Sequence, residues 1–296
     1  MEQNMTALVS LFARAYHQKE KEVKIFEDEF STKLITDKEY KMIGLNMAQG
    51  IHFFNPNFKG NQKEALRWIV DYQLSLSVLI RSALCKEVID EMLEKECKQY
   101  LDFASSYDSF AYMYQNKMNV FEIDKQEVID DKRQRCQNVD IKNIQFLSID
   151  LGKDNWINRL LESSYQENQL SVCSLLGLSY YLTHDQFKRL LKEISKHMIK
   201  GSRLVFDYPS YQESDETRKS EALAKEANET MRAKYSFEQL KEIFDLCHLK
   251  VIKHDDYRIT LDSFIHYNEY YKDNPITAPK DVCYCVAEKE QLIMVK

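Results

Sequence analysis

From residue 5 to about residue 94 the apolar positions recur at three- and four-residue spacing. Leu8, Leu11, Phe12 and Ala15 mark one stripe, and Leu66 to Leu84 predicts a long helix with an apolar face. The turn residues of Asn55-Pro56-Asn57 and Lys59-Gly60-Asn61 place a loop ahead of that helix. After Glu94 the rhythm changes to short apolar runs, most of them separated by amphipathic helical stretches, which predicts βα units around a buried, mainly parallel sheet. Seven strands are expected, near Gln99 to Ala104, Asn119 to Asp124, Ile144 to Ile149, Ser171 to Leu176, Arg203 to Asp207, Leu249 to His254 and Val282 to Ala287. The fold class that follows is α/β: a doubly wound seven-stranded sheet over 95–296, joined without a linker to an N-terminal helical cap over 1–94. Residues from about 212 to 234 form a strongly charged insert with almost no large apolar side chains. Two readings stand for it, a solvated helix or loop and a lid over a site.

With 296 residues, 44% of them hydrophobic, the chain can bury one large core. Its net charge of -6 supplies no basic field for phosphate backbones, so nucleic acid is not expected as a partner. No apolar run approaches the roughly 18 residues of a membrane span, and the first residues lack a secretory pattern, so a cytoplasmic protein without a membrane partner is expected. The seven cysteines (Cys85, Cys97, Cys136, Cys173, Cys247, Cys283 and Cys285) are scattered, without the paired spacing of a metal site, and are read as buried thiols.

In a doubly wound sheet, ligands sit beyond the carboxyl ends of the strands. There the first expected strand runs into Ala104-Ser105-Ser106, small residues whose backbone N–H groups could face a ligand, followed by Tyr107 and Asp108. Asp108 is also read as a cap for the next helix. The second strand ends in Glu122-Ile123-Asp124, which puts carboxylates where the hydroxyls of a ribose need acceptors. The third ends in Asp150-Leu151, an acceptor for an exocyclic amine beside an apolar surface for a base.

These segments together resemble the leucine carboxyl methyltransferase family, including its bacterial O-methyltransferase-like members. The resemblance rests on Tyr107-Asp108-Ser109-Phe110-Ala111-Tyr112, on Val120-Phe121-Glu122-Ile123-Asp124 with Lys132 eight residues on, on Leu176-Gly177-Leu178-Ser179-Tyr180-Tyr181-Leu182-Thr183, on Gly201 to Tyr208, and on Arg81-Ser82. It implies the Rossmann-like class I methyltransferase fold, S-adenosyl-L-methionine as cofactor, and methyl transfer to oxygen. It also implies roles for residues. Arg81 would pair with the methionine carboxylate, and Ala104, Ser105 and Ser106, beside Asp108, would line the amino acid and ribose. Glu122 and Asp124 would accept from the ribose, Asp150 and Leu151 would flank the adenine, and Leu176 occupies a position that is acidic in many members.

One segment departs from the family. Ala104-Ser105-Ser106 stands where Gly-x-Gly is usual, so two Cβ atoms enter a turn that glycine makes at no steric cost. The expected function is an O-methyltransferase acting on a carboxylate or hydroxyl of a small molecule or a peptide C-terminus. The alternative is a non-catalytic binding protein that keeps the fold. A carboxylate acceptor needs no general base, whereas His17, His184, His254 and His266 are candidates if the acceptor is a hydroxyl. Tyr16, Tyr181 and Tyr208 are the first candidates to line the acceptor pocket, with Tyr267, Tyr270 and Tyr271 behind them. A dinucleotide oxidoreductase is disfavoured because no GxGxxG opens any helix.

Overall fold

The computed structural model describes residues 5–153, 156–212 and 231–291. The stripe at the N-terminus becomes α1 (Met5–Glu20), followed by α2 (Ser31–Leu34), α3 (Asp37–Gln49), α4 (Ile51–Phe54), α5 (Gln62–Ile69) and α6 (Ser75–Glu94). Two starts are fixed by reciprocal capping: Thr36 with Glu39 opens α3, and Asn61 with Glu64 opens α5. The single helix expected around 66–84 is instead two helices joined by a π-helical turn, Val70–Leu74. The Ser75 hydroxyl, just past the turn, donates to the Val70 carbonyl at 2.7 Å.

The strands are β1 (Gln99–Phe103), β2 (Asn119–Asp124), β3 (Ile144–Ser148), β4 (Ser171–Leu175), β5 (Arg203–Pro209), β6 (Leu249–Asp255) and β7 (Val282–Lys289). Between and after them lie α7 (Phe110–Tyr114), α8 (Gln126–Arg135), α9 (Trp156–Leu161), α10 (His184–Lys196), α11 (Phe237–Cys247) and α12 (Asp262–Tyr270). They form one sheet in the order β3-β2-β1-β4-β5-β7-β6. All neighbours pair in parallel except β7, which runs antiparallel between β5 and β6. The fold is therefore the expected seven-stranded α/β sheet. Its strand order reverses between β1 and β4, the place where a crevice opens for ligands.

Alternation along the buried strands sends Leu101, Phe103, Phe121 and Ile123 into one core layer with Phe187 and Leu240. Tyr100, Val120 and Val172 point the other way, into a layer that also holds Leu11, Phe12, Leu79 and Ile80 of α1 and α6. The cap helices thus complete the second face of the sheet. A satellite cluster of Ala48, Ile51, Phe54, Ala65 and Ile69 packs α3, α4 and α5 together. All seven cysteines are buried free thiols, as expected. Among the described residues no helix is long and apolar enough to cross a membrane. Of the charged insert, residues 213–230 lie outside the described residues; the Arg232 N–H donates to the Tyr180 carbonyl at 2.8 Å.

Candidate functional site

The chain leaving β1 makes its turn with two side-chain-bearing residues in the left-handed region. Ala104 has φ +55° and Ser106 has φ +41°. The backbone therefore keeps the path a glycine loop would take, at a cost of about 1 kcal/mol for each Cβ. Local bonds hold it there. The Ser105 N–H donates to the Ile123 carbonyl at 3.2 Å, the Ser106 N–H to Asp124 Oδ2 at 2.9 Å, and the Asp108 N–H to the Ser105 carbonyl at 2.8 Å. Asp124 Oδ1 accepts from the Lys125 N–H, so this half-buried carboxylate ends β2 directly beside the loop.

A residue the sequence did not single out reaches the same loop from the cap. Arg14 of α1 is buried, with its Nη1 on Asp108 Oδ1 at 2.7 Å, its Nη2 on the Tyr107 carbonyl and its Nε on Asp28 Oδ2 at 2.9 Å. Asp28 also accepts from the Ser109 hydroxyl at 3.0 Å. Asp108 does not cap α7, whose N-cap is Ser109 without a side-chain bond. Its carboxylate is engaged by Arg14 instead.

Behind the loop lies a row of buried polar groups. Asp102, Glu122 and Ser174 sit side by side on β1, β2 and β4. Glu122 and Lys132 are both fully buried and joined at 2.6 Å, so Glu122 faces α8 and not open space. Burial pushes the Glu122 carboxyl up to about 7 against the pull of Lys132. Asp102 accepts from the Ser174 hydroxyl at 2.9 Å, which in turn bonds Tyr100. Burial, and then the nearby Asp108 charge, raise the Asp102 carboxyl well above the usual range. Asp102 Oδ2, Glu122 Oε2 and the hydroxyls of Ser105 and Ser106 find no hydrogen-bond partner among the described residues. Buried oxygens without a partner are unusual in a folded chain and call for an occupant or water.

The end of β4 carries the second half of the site. Leu176 is buried, and Gly177 takes φ +68°, its N–H donating to Asp207 Oδ1 at 2.7 Å. Asp207 Oδ2 accepts from the Tyr180 hydroxyl at 2.8 Å and from Arg81 Nη1 at 3.3 Å. The Arg81 guanidinium lies against Gly177 so closely that a Cβ there would meet Nη1 at 2.7 Å. Burial works against the Arg81 charge, but Asp207, with Tyr180 and Asp108 adding to it, holds the group above its ordinary value. Tyr284, paired with Asp207 across the β5–β7 ladder, is buried, and its hydroxyl has no partner among the described residues.

The remaining candidates are spread more widely. Half-buried Asp150 turns back to accept from its own Gly152 N–H at 3.0 Å, and Leu151 packs at the edge of the core layer that holds Phe103 and Ile123. Tyr16 and Tyr181 lie on the cap side of the sheet, with Tyr16 buried and Tyr181 half-buried. Tyr208 points to the opposite face, where its hydroxyl meets His254 Nε2 at 2.6 Å. His17 accepts the Ile25 N–H at 2.9 Å, and burial holds its ring down to about 3, with Lys21 adding to the effect. His184 bonds the Lys234 carbonyl at 2.7 Å. His266 is exposed on α12, which also carries buried Tyr267 and exposed Tyr270. The Tyr271 hydroxyl accepts from the Glu22 N–H at 3.0 Å. Two open depressions of about 380 and 340 Å³ lie elsewhere, between α3, α4 and α5 and along α8. No group of His, Cys, Asp and Glu among the described residues is arranged to hold a metal ion.

Comparison with known proteins gives the fold and the family. The Bacillus subtilis (strain 168) protein YktD, named as a candidate S-adenosyl-L-methionine-dependent methyltransferase, is 28% identical over 269 residues, 86% of this chain and 88% of its own. Among solved structures, a candidate methyltransferase of Thermobifida fusca YX superimposes with a TM-score of 0.56 at 13% identity, covering 83% of this chain and 94% of that one. A DUF574 family protein of Streptomyces avermitilis gives a TM-score of 0.54 at 11% identity, covering 82% and 97%. These two likenesses establish the fold. The model of the leucine carboxyl methyltransferase family matches residues 7–195. The chain belongs to that family and is an S-adenosyl-L-methionine-dependent methyltransferase.

Proposed function

We propose that the turn after β1 and the ends of β2 and β4 together seat the cofactor, and that the methyl acceptor is a carboxylate on a small molecule or a peptide C-terminus. The observation that carries the cofactor half is the left-handed backbone at Ala104 and Ser106, beside the buried Ser105 and Ser106 hydroxyls, which have no hydrogen-bond partner among the described residues. The residues fit a zwitterionic nucleoside. Asp124 has lone pairs left for ribose hydroxyls, because each of its oxygens takes one N–H from the chain. Arg81 spends one long contact on Asp207 and has further donors for a methionine carboxylate. The hydroxyls of Ser105 and Ser106 would then bond the ligand in place of the backbone-only contact that glycines give. Leu176 supplies an apolar wall, and Asp150 with Leu151 would border the adenine.

Bound S-adenosyl-L-methionine supplies a methyl group on a sulfonium, a good leaving group. The protein's part is therefore alignment and exclusion of water. A carboxylate acceptor suits a site where three of the four candidate bases, His17, His184 and His254, have a ring nitrogen bonded elsewhere, His254 to Tyr208 on the far face of the sheet, and where the fourth, His266, is exposed on α12. Tyr16 and Tyr181, on the cap side, would border the acceptor; Tyr208 would not.

The test is to supply methyl-labelled cofactor with paired acceptors that differ only in carrying a carboxylate or a hydroxyl. A methyl ester gives back its label as volatile methanol in base, and an ether does not. Base-labile label with the carboxylate member alone is expected. Base-stable label, or transfer only to the hydroxyl member, would overturn the carboxylate reading. Failure of S-adenosylhomocysteine to raise the melting temperature at large excess would overturn the cofactor seat.

A further inference from the structure

The turn after β1 is made from residues that disfavour it, yet it is gripped from outside the sheet. Arg14 is 3% exposed and spends its guanidinium on three acceptors belonging to two segments: Asp28 in the cap, and the Tyr107 carbonyl and Asp108 carboxylate in the turn. Asp28 is 0% exposed and completes the grip through the Ser109 hydroxyl. Residues 107, 108 and 109 are thereby fixed to α1 and to the chain that follows it. Residue 106, immediately before them, is held in the left-handed region, as is residue 104. On the sheet side, among the described residues, the Ser105 and Ser106 N–H groups make one donation each, and the Tyr107 hydroxyl donates to Asp131 of α8 at 2.5 Å.

We infer that Arg14 is a positioning residue for cofactor binding: from the cap, it holds the Ala104–Ser106 turn in the left-handed conformation that a glycine loop would adopt unaided. The inference rests on the cofactor seat proposed above. Its physical basis is a population argument. A turn carrying Cβ atoms at positive φ has other conformers of comparable energy, and ligand affinity scales with the fraction in the competent one. Fixing both ends of the turn makes that conformer dominant. Three hydrogen bonds in a planar fork define an orientation that a lysine ammonium, a point charge, does not. The N-terminal helices would then act on cofactor affinity as well as on the acceptor.

The test uses the full chain and S-adenosylhomocysteine as the probe. Arg14→Lys keeps a positive charge for Asp28 and Asp108 and so protects folding, while giving up the three-way bridge. It is expected to weaken probe binding on the order of tenfold and to speed amide hydrogen exchange at residues 105–109 in the protein alone. The same Arg14→Lys change made in a background already carrying Ala104→Gly and Ser106→Gly is expected to cost less than about threefold relative to that background, because glycine adopts the turn without an external grip. Unchanged affinity and exchange in Arg14→Lys would overturn the inference. So would an equal loss of affinity in the glycine background, since that points to direct ligand contact or a general packing role. If the unaltered protein binds no probe, the cofactor seat fails, and the exchange measurement still decides whether Arg14 holds the turn.

Discussion

Two turns at the carboxyl ends of neighbouring strands solve the same backbone problem with different residues. After β4 the left-handed position is Gly177, at φ +68°; after β1 two such positions are Ala104 and Ser106, at φ +55° and +41°. The torsion angle alone therefore does not decide where glycine stands. At Gly177 the deciding factor is space, because a Cβ would sit 2.7 Å from a guanidinium nitrogen of Arg81. After β1, two half-buried residues carry their side chains at a torsional cost, and the network from Arg14 offsets it. Glycine is needed where a neighbour fills the position, and dispensable where neighbours can hold a less permissive residue in place.

The strongest way to break this comparison is Gly177→Ala. It should destabilise the protein by about 3 kcal/mol, the sum of left-handed strain and a disturbed Arg81–Asp207 pair, read as a lowered urea midpoint. A loss under about 1 kcal/mol would mean that Arg81 moves aside freely and that space is not the deciding factor. The next test is titration of the β1 side through Asp102→Asn. The folded-state carboxyl is raised above its unfolded value, so its stabilising contribution is present below that unfolded value and fades as pH rises toward the raised one. The asparagine variant does not titrate. Its stability relative to the native protein should therefore improve with pH, by up to about 1.4 kcal/mol per unit above pH 5. Parallel stability profiles for the two proteins would show that Asp102 is ionised throughout. The smallest effect is expected for Ser106→Gly in the otherwise unaltered chain. Relief of strain and the greater entropy of the unfolded chain nearly cancel, leaving a change within about 1 kcal/mol.

The sheet was legible because its strands are short apolar runs separated by charged helices, and the expected bounds of most of them agree with the structure to within a residue or two. The place of β7 between β5 and β6 was not legible, since strand order is set by packing and not by local pattern. Along β2, sequence put Glu122 and Asp124 in one role because both stand at the carboxyl end of the strand. Depth separates them: Glu122 is sealed against Lys132 while Asp124 reaches the strand end. Arg14 gave no signal, because its partners lie 14, 93 and 94 positions away and nothing local distinguishes it from a solvent-facing helix charge. The π-helical turn was equally hidden, since an apolar stripe at three- and four-residue spacing tolerates one extra residue without breaking.

That extra residue has a consequence for the whole cap. An α-helix advances about 100° per residue, so the inserted position in Val70–Leu74 rotates everything after it relative to everything before. The helix ahead of the insertion can then keep its greasy side on the small cluster around Ala48 and Phe54, while the longer one behind it lays a differently oriented side along the strands and swings Arg81 over Asp207. The bulge works as a phase adjuster between two docking faces on one rod, and the chain length between Ile69 and Ser75 is for that reason as constrained as any side chain in the site.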